Sequence, residues 1–332
     1  MAEKIRVLIV EDSAFKRNAI KDILESDPEI EVVGMAENGK SGIARAAALR
    51  PDVITMDIAM PVMDGVEAIT RIMQETPIPI IIVSTLDNKT IIGALSAGAM
   101  DFVSNDQALE LMARELTEKV KIASKVKPLR RMNLKPQPAP VPVGQSALKI
   151  VIIGSSTGGP QALQIFLSRL PPDFRGCILI VQHMSKGFIE GLAEWLQSAT
   201  RLEVKVAKPG DGVKAGAVYF APDDCNMELQ KDGKFIFTHV QTGYFYPSAN
   251  ILMQSAAHSY GKNVIGVIMT GMAQDGVKGI KDIKLAGGTT IAQDEATSVI
   301  FGMNKIAIET GFVDRVVPLE KISEELVKIA AA

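Results

Sequence analysis

Three acidic side chains near the start of the chain stand where two short apolar runs end. Glu11 and Asp12 directly follow the run at residues 6–10. Asp57 directly follows the run at residues 52–56. If both runs are parallel strands of one sheet, their carboxyl ends meet at one edge and gather the three carboxylates. Clustered carboxylates repel one another unless a cation compensates, so the pattern predicts a Mg²⁺ site at which Asp57 can accept a phosphoryl group.

A serine in the second half lies in a turn rich in small residues. The spacing Gly154-x-Ser156-x-Gly158 follows an apolar run. This spacing is typical of a nucleophile elbow, a sharp turn between strand and helix that exposes the serine Oγ. Pro160 suits the first turn of the helix that follows, and the N-terminus of that helix would stabilise an oxyanion near Ser156. The spacing G-x-G-x-x-G of a dinucleotide loop and the Gly-Lys-Ser/Thr of a P-loop are both missing here.

The general base for such a serine must be sought among three histidines. His183 ends the apolar run at residues 177–182, which places it at the sheet edge predicted for Ser156. His239 falls in a predicted hairpin strand and His258 late in a predicted helix, positions typical of surface or packing roles. His183 is therefore the predicted base.

An acid that orients the imidazole would complete the site, and two aspartates qualify. Asp275 follows a strand-like run and a short turn, and Asp294 follows another strand-like run. Gly271 and Gly276 indicate a backbone that turns tightly around the first candidate. Spacing alone leaves both aspartates open. The chain order Ser, His, Asp matches neither the α/β-hydrolase order nor the better-known protease orders.

The elements that position these residues alternate between β-branched runs and segments of helical periodicity. Parallel strands need helical crossovers, so each half is predicted to be an α/β domain with a doubly wound parallel sheet, flavodoxin-like in the first half. An antiparallel block is expected at residues 217–220 and 227–239, with a hairpin turn at 231–234. The predicted strands are residues 6–10, 31–36, 52–56, 79–83, 99–103, 150–153, 177–182, 204–207, 264–269 and 289–292. The predicted helices are residues 13–26, 40–49, 65–75, 89–97, 109–124, 159–170, 187–200, 249–260 and 276–286.

The amino-acid composition indicates where the chain divides into domains and which general class of protein it belongs to. A proline-rich stretch predicts a linker at residues 126–147 between a first domain at 1–125 and a second at 148–332. The 332 residues are 47% hydrophobic and 22% charged, with a net charge of −2, which gives no reason to expect a nucleic-acid partner. Short apolar runs and only two cysteines predict a cytoplasmic protein without a membrane anchor.

Residues 4–124 carry further motifs around the acidic cluster. The run Met60-Pro61-Val62-Met63-Asp64-Gly65 follows Asp57, and Ser84 closes the fourth predicted strand. At these positions the segment resembles the receiver domain of two-component response regulators. The resemblance implies that a histidine kinase phosphorylates Asp57, that Ser84 contacts the phosphoryl group and that Phe102 is an aromatic switch. It also implies the ligands of Mg²⁺: Glu11, Asp12 and Asp57.

The chain departs from the receiver pattern after the fifth predicted strand. Where that family reads Asp-Phe-Val-x-Lys-Pro, this chain reads Asp101-Phe102-Val103-Ser104-Asn105-Asp106. An ammonium that pairs with the phosphoryl group is thereby replaced by a neutral amide. Two expectations result: phosphorylation of Asp57 regulates the second domain, or, because of Asn105, the receiver responds weakly or serves only as a docking module.

The second half contains four motifs that together resemble the chemotaxis response regulator protein-glutamate methylesterase family. The resemblance covers nearly the whole chain. It implies Ser156 as the nucleophile, His183 as the base and Asp275 as the orienting acid, and it leaves Asp294 a structural residue. The Met272 amide becomes an oxyanion donor and Thr157 lies near the pocket. The motifs are Gly154-Ser155-Ser156-Thr157-Gly158-Gly159, Gln182-His183-Met184, Thr270-Gly271-Met272 with Asp275-Gly276, and Ala292-Gln293 with Glu295-Ala296 and Phe301-Gly302-Met303.

The resemblance also implies an activity and its partners. The expected reaction is hydrolysis of glutamate γ-methyl esters on methylated chemoreceptors, with possible deamidation of glutamines, and the esterase step needs no metal. The protein would work peripherally at receptor arrays. One segment departs: the family's Arg-Pro-Ser-Val-Asp is Tyr246-Pro247-Ser248-Ala249-Asn250, which removes a charge pair that binds the receptor or braces the site. The rival hypothesis, a non-catalytic output module that binds DNA, predicts a basic helix-turn-helix segment that the sequence lacks.

Overall fold

The computed structural model describes residues 3–85, 87–105, 108–126, 148–239, 245–272 and 274–331. These residues form two compact units, one within residues 1–133 and the other within 134–332. The predicted linker at residues 126–147 lies outside the described residues except for Val126. The predicted domain boundaries at 125 and 148 therefore stay predictions.

The first unit is a five-stranded parallel sheet in the order β2-β1-β3-β4-β5 with helices between the strands. The strands form because runs of apolar, mostly β-branched residues are buried on both faces of the sheet, as Val7, Leu8 and Ile9 show with no exposed surface. The strands are β1 Ile5–Val10, β2 Ile30–Ala36, β3 Val53–Met56, β4 Ile80–Ser84 and β5 Asp101–Ser104. The helices are α1 Ala14–Glu25, α2 Gly39–Leu49, α3 Gly65–Glu75, α4 Asn88–Ala97 and α5 Leu109–Ala123.

The second unit is a seven-stranded parallel sheet in the order β14-β13-β12-β6-β7-β9-β8, with a separate two-stranded sheet of β10 and β11. Both units therefore have the predicted α/β class. The strands are β6 Ile150–Ser155, β7 Cys177–Gln182, β8 Glu203–Val206, β9 Ala217–Phe220, β10 Asn226–Leu229, β11 Phe235–Thr238, β12 Val264–Ile268, β13 Thr289–Gln293 and β14 Arg315–Val317. The helices are α6 Gly159–Ser168, α7 Ile189–Gln197, α8 Ala249–Tyr260, α9 Val277–Leu285, α10 Met303–Glu309 and α11 Leu319–Ala331.

One predicted strand direction was wrong. β9 (Ala217–Phe220) does not form an antiparallel pair but lies between β7 and β8, and both pairings are parallel. All four of its residues are buried, because a strand inside a parallel sheet is covered on both faces. The hairpin of β10 and β11 is antiparallel as predicted. Three elements were not predicted from the sequence: β14, which is an edge strand of the second sheet, and the helices α10 and α11.

Candidate active site and acidic receiver cluster

The acidic cluster of the first unit forms where β1 and β3 end side by side. Val10 pairs with Met56, and the Asp57 amide donates to the Val10 carbonyl at 2.8 Å. Ligand oxygens of Glu11, Asp12 and Asp57 all lie within 4.8 Å of one another. Gly65 allows this close turn, because a Cβ there would lie 2.3 Å from the Asp57 carbonyl oxygen. The structure thus brings together the three carboxylates that the sequence singled out.

The chemistry of this cluster fits a divalent cation. Glu11 is 1% exposed, and its Oε2 has no hydrogen-bond partner among the described residues. Burial, together with the charge of Asp57, raises the pKa of Glu11 to about 7. A buried carboxylate oxygen without a donor, beside a second carboxylate, is stabilised by a hard cation such as Mg²⁺. The residues present therefore fit the metal that a receiver domain implies.

Glu11→Gln is expected to raise the thermal midpoint of the receiver unit by a few degrees in EDTA at pH 8. At that pH the wild-type carboxyl is ionised, and the substitution removes a buried charge that faces Asp57. Differential scanning calorimetry of the full chain, with and without Mg²⁺, measures the effect. Asp64→Asn is the control, since Asp64 caps α3 rather than joining the cluster. A Glu11→Gln midpoint at or below that of the wild type in EDTA would contradict the account of Glu11 as an uncompensated charge.

The two switch residues predicted for the receiver lie on neighbouring strands. Ser84 ends β4 and is 3% exposed, and the Ser84 carbonyl accepts the Asn105 amide at 3.3 Å. Phe102 on β5 is 2% exposed. Lys119 lies beside it, with Nζ 5.4 Å from the Phe102 ring centre and 3.0 Å from Asp101 Oδ1. Lys119 therefore contacts the first two residues of β5, whereas Asn105 lies directly after the last residue of that strand.

Asn105 occupies the position at which the receiver pattern has a lysine. Its Oδ1 is buried and has no hydrogen-bond partner within the described part of the chain. An amide oxygen in that setting can accept a hydrogen bond but cannot supply the positive charge of an ammonium. The chemistry of this position is therefore that of a neutral group.

In the second unit, the serine turn follows β6 as the spacing predicts. The Ser156 amide donates to the Thr270 carbonyl at 3.1 Å, and the Ser156 carbonyl accepts the Gly159 amide at 2.8 Å. Gly158 has φ +75°, a left-handed conformation that favours glycine, and α6 begins directly after it. Ser156 and Thr157 are half-buried. The N-terminus of α6 lies at the turn, where its amides favour negative charge.

Gln182 connects the serine turn to the histidine. It is 3% exposed, and its Nε2 donates to the carbonyls of Ser156 and His183, each at 2.8 Å. Its Oε1 accepts from the Ser155 hydroxyl at 2.7 Å. Gly159 leaves room for this side chain, because a Cβ there would lie 1.9 Å from Gln182 Oε1. The amide thus holds two turns in fixed register, a role that the sequence reasoning missed although Gln182 belongs to a quoted motif.

His183 lies at the same sheet edge as Ser156. Ser155 pairs with Gln182 across β6 and β7, and the His183 amide donates to the Ser155 carbonyl at 2.9 Å. The structure therefore places Ser156 and His183 directly after paired residues of adjacent strands. The other two histidines lie elsewhere in the unit: His239 is exposed and contacts the Asp224 carbonyl, and His258 is exposed on α8.

Asp275 is the acid that contacts the imidazole. Its Oδ2 lies 2.9 Å from His183 Nε2, and the carboxylate is 1% exposed. It also accepts the Ser248 hydroxyl at 2.8 Å and the Asn250 amide at 3.0 Å. The Ala249 amide at the N-terminus of α8 donates to it as well. Burial acts to raise the pKa of Asp275, but His183 and these amides outweigh burial and lower it.

The tautomer of His183 follows from this contact. An ionised carboxylate only accepts hydrogen bonds, so Nε2 carries the proton that is donated to Asp275. The lone pair of the neutral ring is then on Nδ1, which is the atom able to take a proton. The ring of Phe245 stacks on the imidazole with centroids 5.1 Å apart and planes 12° from parallel. Nothing in the sequence distinguished Phe245 from an ordinary packing aromatic.

Asp294, the other candidate for the orienting acid, stabilises a local turn. Its Oδ1 accepts the Thr297 amide at 3.0 Å and the Thr297 hydroxyl at 2.6 Å, and its own amide donates to the Val317 carbonyl. These bonds close the chain after β13. The structure thus brings Asp275 to His183 and holds Asp294 in a local turn.

The segment from Thr270 to Met272 runs beside the serine. A Cβ at Gly271 would lie 2.7 Å from Ser156 Cβ and 2.5 Å from Met303 Sδ. Thr270 Oγ1 donates to the Thr157 carbonyl at 3.0 Å, which ties this segment to the serine turn. The Met272 side chain is 37% exposed. Assignment of the Met272 amide as an oxyanion donor stays a prediction.

Gly271→Ala is expected to lower kcat by about 10²-fold, because the added methyl displaces the Ser156 side chain and small misplacements of a nucleophile are costly. Ester hydrolysis measures the loss. Gly93→Ala is the control, since nothing lies within 4 Å of a Cβ at Gly93. The double variant Gly271→Ala, Met303→Ala separates the two contacts: full recovery there would show that the Met303 sulfur, not Ser156, caused the loss.

One parallel-sheet unit has a cluster of three carboxylates at its strand ends, as in receiver domains. The other has a serine, a histidine and an aspartate at its strand ends, as in serine hydrolases. Family models match both parts: the response regulator receiver domain at residues 7–117 and the CheB methylesterase domain at residues 151–326. The chain belongs to the CheB methylesterase family and carries a receiver domain.

Relatives over the full length agree with this membership. The chain is 44% identical to a protein-glutamate methylesterase/protein-glutamine glutaminase of Pyrococcus horikoshii, over 99% of this chain and 94% of that protein. It is 42% identical to the protein of the same description from Thermotoga maritima, over 98% of both. The crystal structure of the Thermotoga maritima CheB methylesterase catalytic domain aligns with a TM-score of 0.54 at 42% identity, covering 55% of this chain and 100% of that one. Within the described residues, no helix has the length and apolar character needed to cross a membrane.

Proposed function

We propose that this protein is a protein-glutamate methylesterase in which Ser156, His183 and Asp275 act as a catalytic triad. The observation that carries the proposal is the 2.9 Å contact between His183 and the buried Asp275. His183 follows β7, whose end is paired with the end of β6, the strand that presents Ser156. A serine, an oriented imidazole and a buried carboxylate at one sheet edge are the parts that acyl transfer requires. Membership of the CheB methylesterase family and the names of the full-length relatives support the same reaction.

The reaction proceeds by acyl transfer through the serine. His183 Nδ1 takes the Ser156 hydroxyl proton as Oγ attacks the γ-carbonyl of a methylated glutamate, and Asp275 stabilises the imidazolium that forms. The N-terminus of α6 and the Met272 amide stabilise the oxyanion. The imidazolium then protonates the leaving methoxide, which departs as methanol and leaves an acyl-enzyme. Water attacks the acyl carbon as His183 takes its proton, and the imidazolium then returns that proton to Ser156 Oγ as glutamate is released.

The same site would deamidate glutamine side chains. The tetrahedral intermediate differs only in its leaving group, which departs as ammonia after protonation by His183, and hydrolysis again releases glutamate. The names of the relatives pair the two activities. Neither route needs a metal, because the base, the nucleophile and the oxyanion donors all come from the chain.

The receiver is proposed to control the esterase through phosphorylation of Asp57 by a histidine kinase. Glu11, Asp12 and Asp57 would hold Mg²⁺, which when bound neutralises charge on the incoming phosphoryl group. Ser84 is proposed to contact that group and Phe102 to respond to it. Because Asn105 supplies no positive charge, a second form of this proposal is a receiver that responds weakly and serves as a docking module.

Methylated chemoreceptors are the proposed substrate, with the protein working in the cytoplasm at the periphery of receptor arrays. The segment that departs from the family supports a bracing role for position 250, because Asn250 Oδ1 accepts the Gly279 amide at 2.8 Å and an aspartate oxygen would accept it equally. Tyr246 directs its hydroxyl to the Thr238 carbonyl at 3.4 Å. Loss of the family arginine there is therefore the change that bears on receptor recognition.

Release of methanol from membranes carrying methylated chemoreceptors tests the function. The full chain should release methanol, and a small phosphodonor with Mg²⁺ should increase the rate in the wild type but not in Asp57→Asn. An absence of release by the wild type would overturn the methylesterase assignment. Equal responses of the wild type and Asp57→Asn would remove Asp57 from regulation, and no response in either would favour the docking form of the receiver.

A further inference from the structure

A cleft of about 430 Å³ runs along the outer side of β2 in the receiver unit. β2 is the edge strand of the five-stranded sheet, and in the part of residues 3–126 that the structure describes no strand pairs with its outer side. The cleft lies between the flanks of α1 and α2, which cover opposite faces of the sheet. Its floor is the strand itself, including Gly34 and Met35. The lining of the cleft contains none of the three carboxylates of the acidic cluster.

Backbone groups of β2 point into this cleft. The Ala36 carbonyl accepts the Glu11 amide, so it faces the inner side of the sheet. Because successive peptide groups of a strand alternate in direction, the amide and carbonyl of Met35 face outward. An unpaired strand edge of this kind is a template for an added strand. The register between β1 and β2 shifts after Val32, so the regular part of the edge is its second half.

The walls of the cleft are cationic on both sides. Arg17 and Lys21 are one helical turn apart on α1, and Arg45 stands on α2, against the single acidic residue Glu37 in the lining. Lys21 is half-exposed and, among the described residues, makes only a 3.9 Å contact with Glu25, and Arg45 is exposed. Side chains of an added strand would alternate between the two walls and would meet a cation on each.

We propose that this cleft binds an extended acidic peptide of a partner protein, which adds as a strand to the edge of β2. The short regular edge of β2 offers few main-chain hydrogen bonds. Contacts between the carboxylates of the peptide and Lys21 and Arg45 therefore carry much of the affinity. The chain's own linker does not suit the cleft, because it contains five prolines without N–H groups between Pro128 and Pro142 and a basic cluster with Arg130 and Arg131.

One cation of the cleft also touches the acidic cluster. Arg17 Nη1 donates to the carbonyls of Glu11 at 2.6 Å and of Asp12 at 3.3 Å. A carboxylate bound by the other end of this guanidinium would therefore be connected, through Arg17, to the segment that presents two proposed Mg²⁺ ligands. Occupation of the cleft and occupation of the acidic cluster are thus expected to influence each other, and any such coupling is reciprocal.

The test uses the full chain and a fluorescent, end-blocked peptide of sequence Thr-Glu-Glu-Ile-Glu-Glu-Thr, which presents carboxylates on both faces of a strand. Two matched probes are a peptide with lysine at the four glutamate positions and a peptide N-methylated at alternate residues. Anisotropy should show saturable binding of the first peptide, at least tenfold weaker binding of the N-methylated one and none of the lysine one. Hydrogen exchange at the Met35 amide should slow when the first peptide is bound.

Variants of the walls complete the test. Lys21→Glu and Arg45→Glu should each weaken binding by about tenfold, whereas Arg114→Glu, an exposed cation of α5 outside the cleft, should leave it unchanged. Equal binding of the N-methylated peptide would show an anion-binding surface without strand addition and overturn the proposal. Absent binding of the acidic peptide, an unprotected Met35 amide or an equal effect of Arg114→Glu would overturn it as well.

Discussion

Ser156→Ala is expected to lower kcat for methanol release by about 10⁶-fold while leaving the fold intact. Removal of a serine nucleophile abolishes the covalent route, and the activity that remains comes from the oxyanion donors and substrate binding alone. Ser156 Oγ bonds to no other described residue, so its loss leaves no buried partner unsatisfied. The measurement is methanol release from methylated receptors, with thermal unfolding as the check on the fold.

Thr157→Ala is the matched control, because Thr157 is half-buried in the same turn and carries the adjacent hydroxyl. Its loss should cost far less than that of Ser156, since the Thr157 contact seen in the structure is made by its carbonyl. Retention of activity in Ser156→Ala with loss in Thr157→Ala would move the nucleophile to the neighbouring residue.

Asp275→Asn is the second large effect, with an expected fall in kcat of about 10⁴-fold. The amide preserves the size of the carboxyl, but its NH₂ group can donate to His183, which then presents the wrong tautomer. The Ser248 hydroxyl and the α8 amides also lose part of an acceptor that they share. A comparison of kcat with KM and with the thermal midpoint separates orientation from simple loss of structure, because a misoriented imidazole lowers kcat while substrate binding and the folded state persist.

Asp294→Asn serves as the control for Asp275→Asn. Asp294 binds Thr297 in the turn after β13, so its replacement should change kcat by less than about tenfold and act mainly on stability. The two aspartates were indistinguishable by spacing, which makes the comparison decisive. A larger loss in Asp294→Asn than in Asp275→Asn would contradict the assignment of the orienting acid.

The fold was predictable because local patterns and topology agree. Buried parallel strands are continuous apolar runs, and the helices between them carry apolar residues at helical spacing, so the alternation was visible throughout residues 6–124. β9 was misjudged because a four-residue apolar run has the same pattern in either direction. Its parallel pairing with β7 and β8 is set by distant residues and not by its own sequence.

The site was predictable to the extent that it depends on strand ends. Serine, histidine and the acidic cluster directly follow strands, and topology then gathers them at a sheet edge. The selection of Asp275 over Asp294 depends on where α8 begins, and the stacking of Phe245 on His183 depends on a segment 62 positions away. Gln182 shows the same limit, since two of its three hydrogen bonds join the end of β7 to the end of β6. Contacts between residues so far apart leave no local signal.

The hydrogen-bond donors that residues 248–250 provide to Asp275 affect how this site can change over evolutionary time. Two of its donors are main-chain amides, those of Ala249 and Asn250, and every residue except proline supplies such an amide. Mutational drift can therefore replace the side chains of this segment while the orientation of the acid persists. Position 248 is the exception, because there the donor is the serine hydroxyl itself. A lineage could thus replace the side chain at position 246 without first rebuilding the contact between Asp275 and His183.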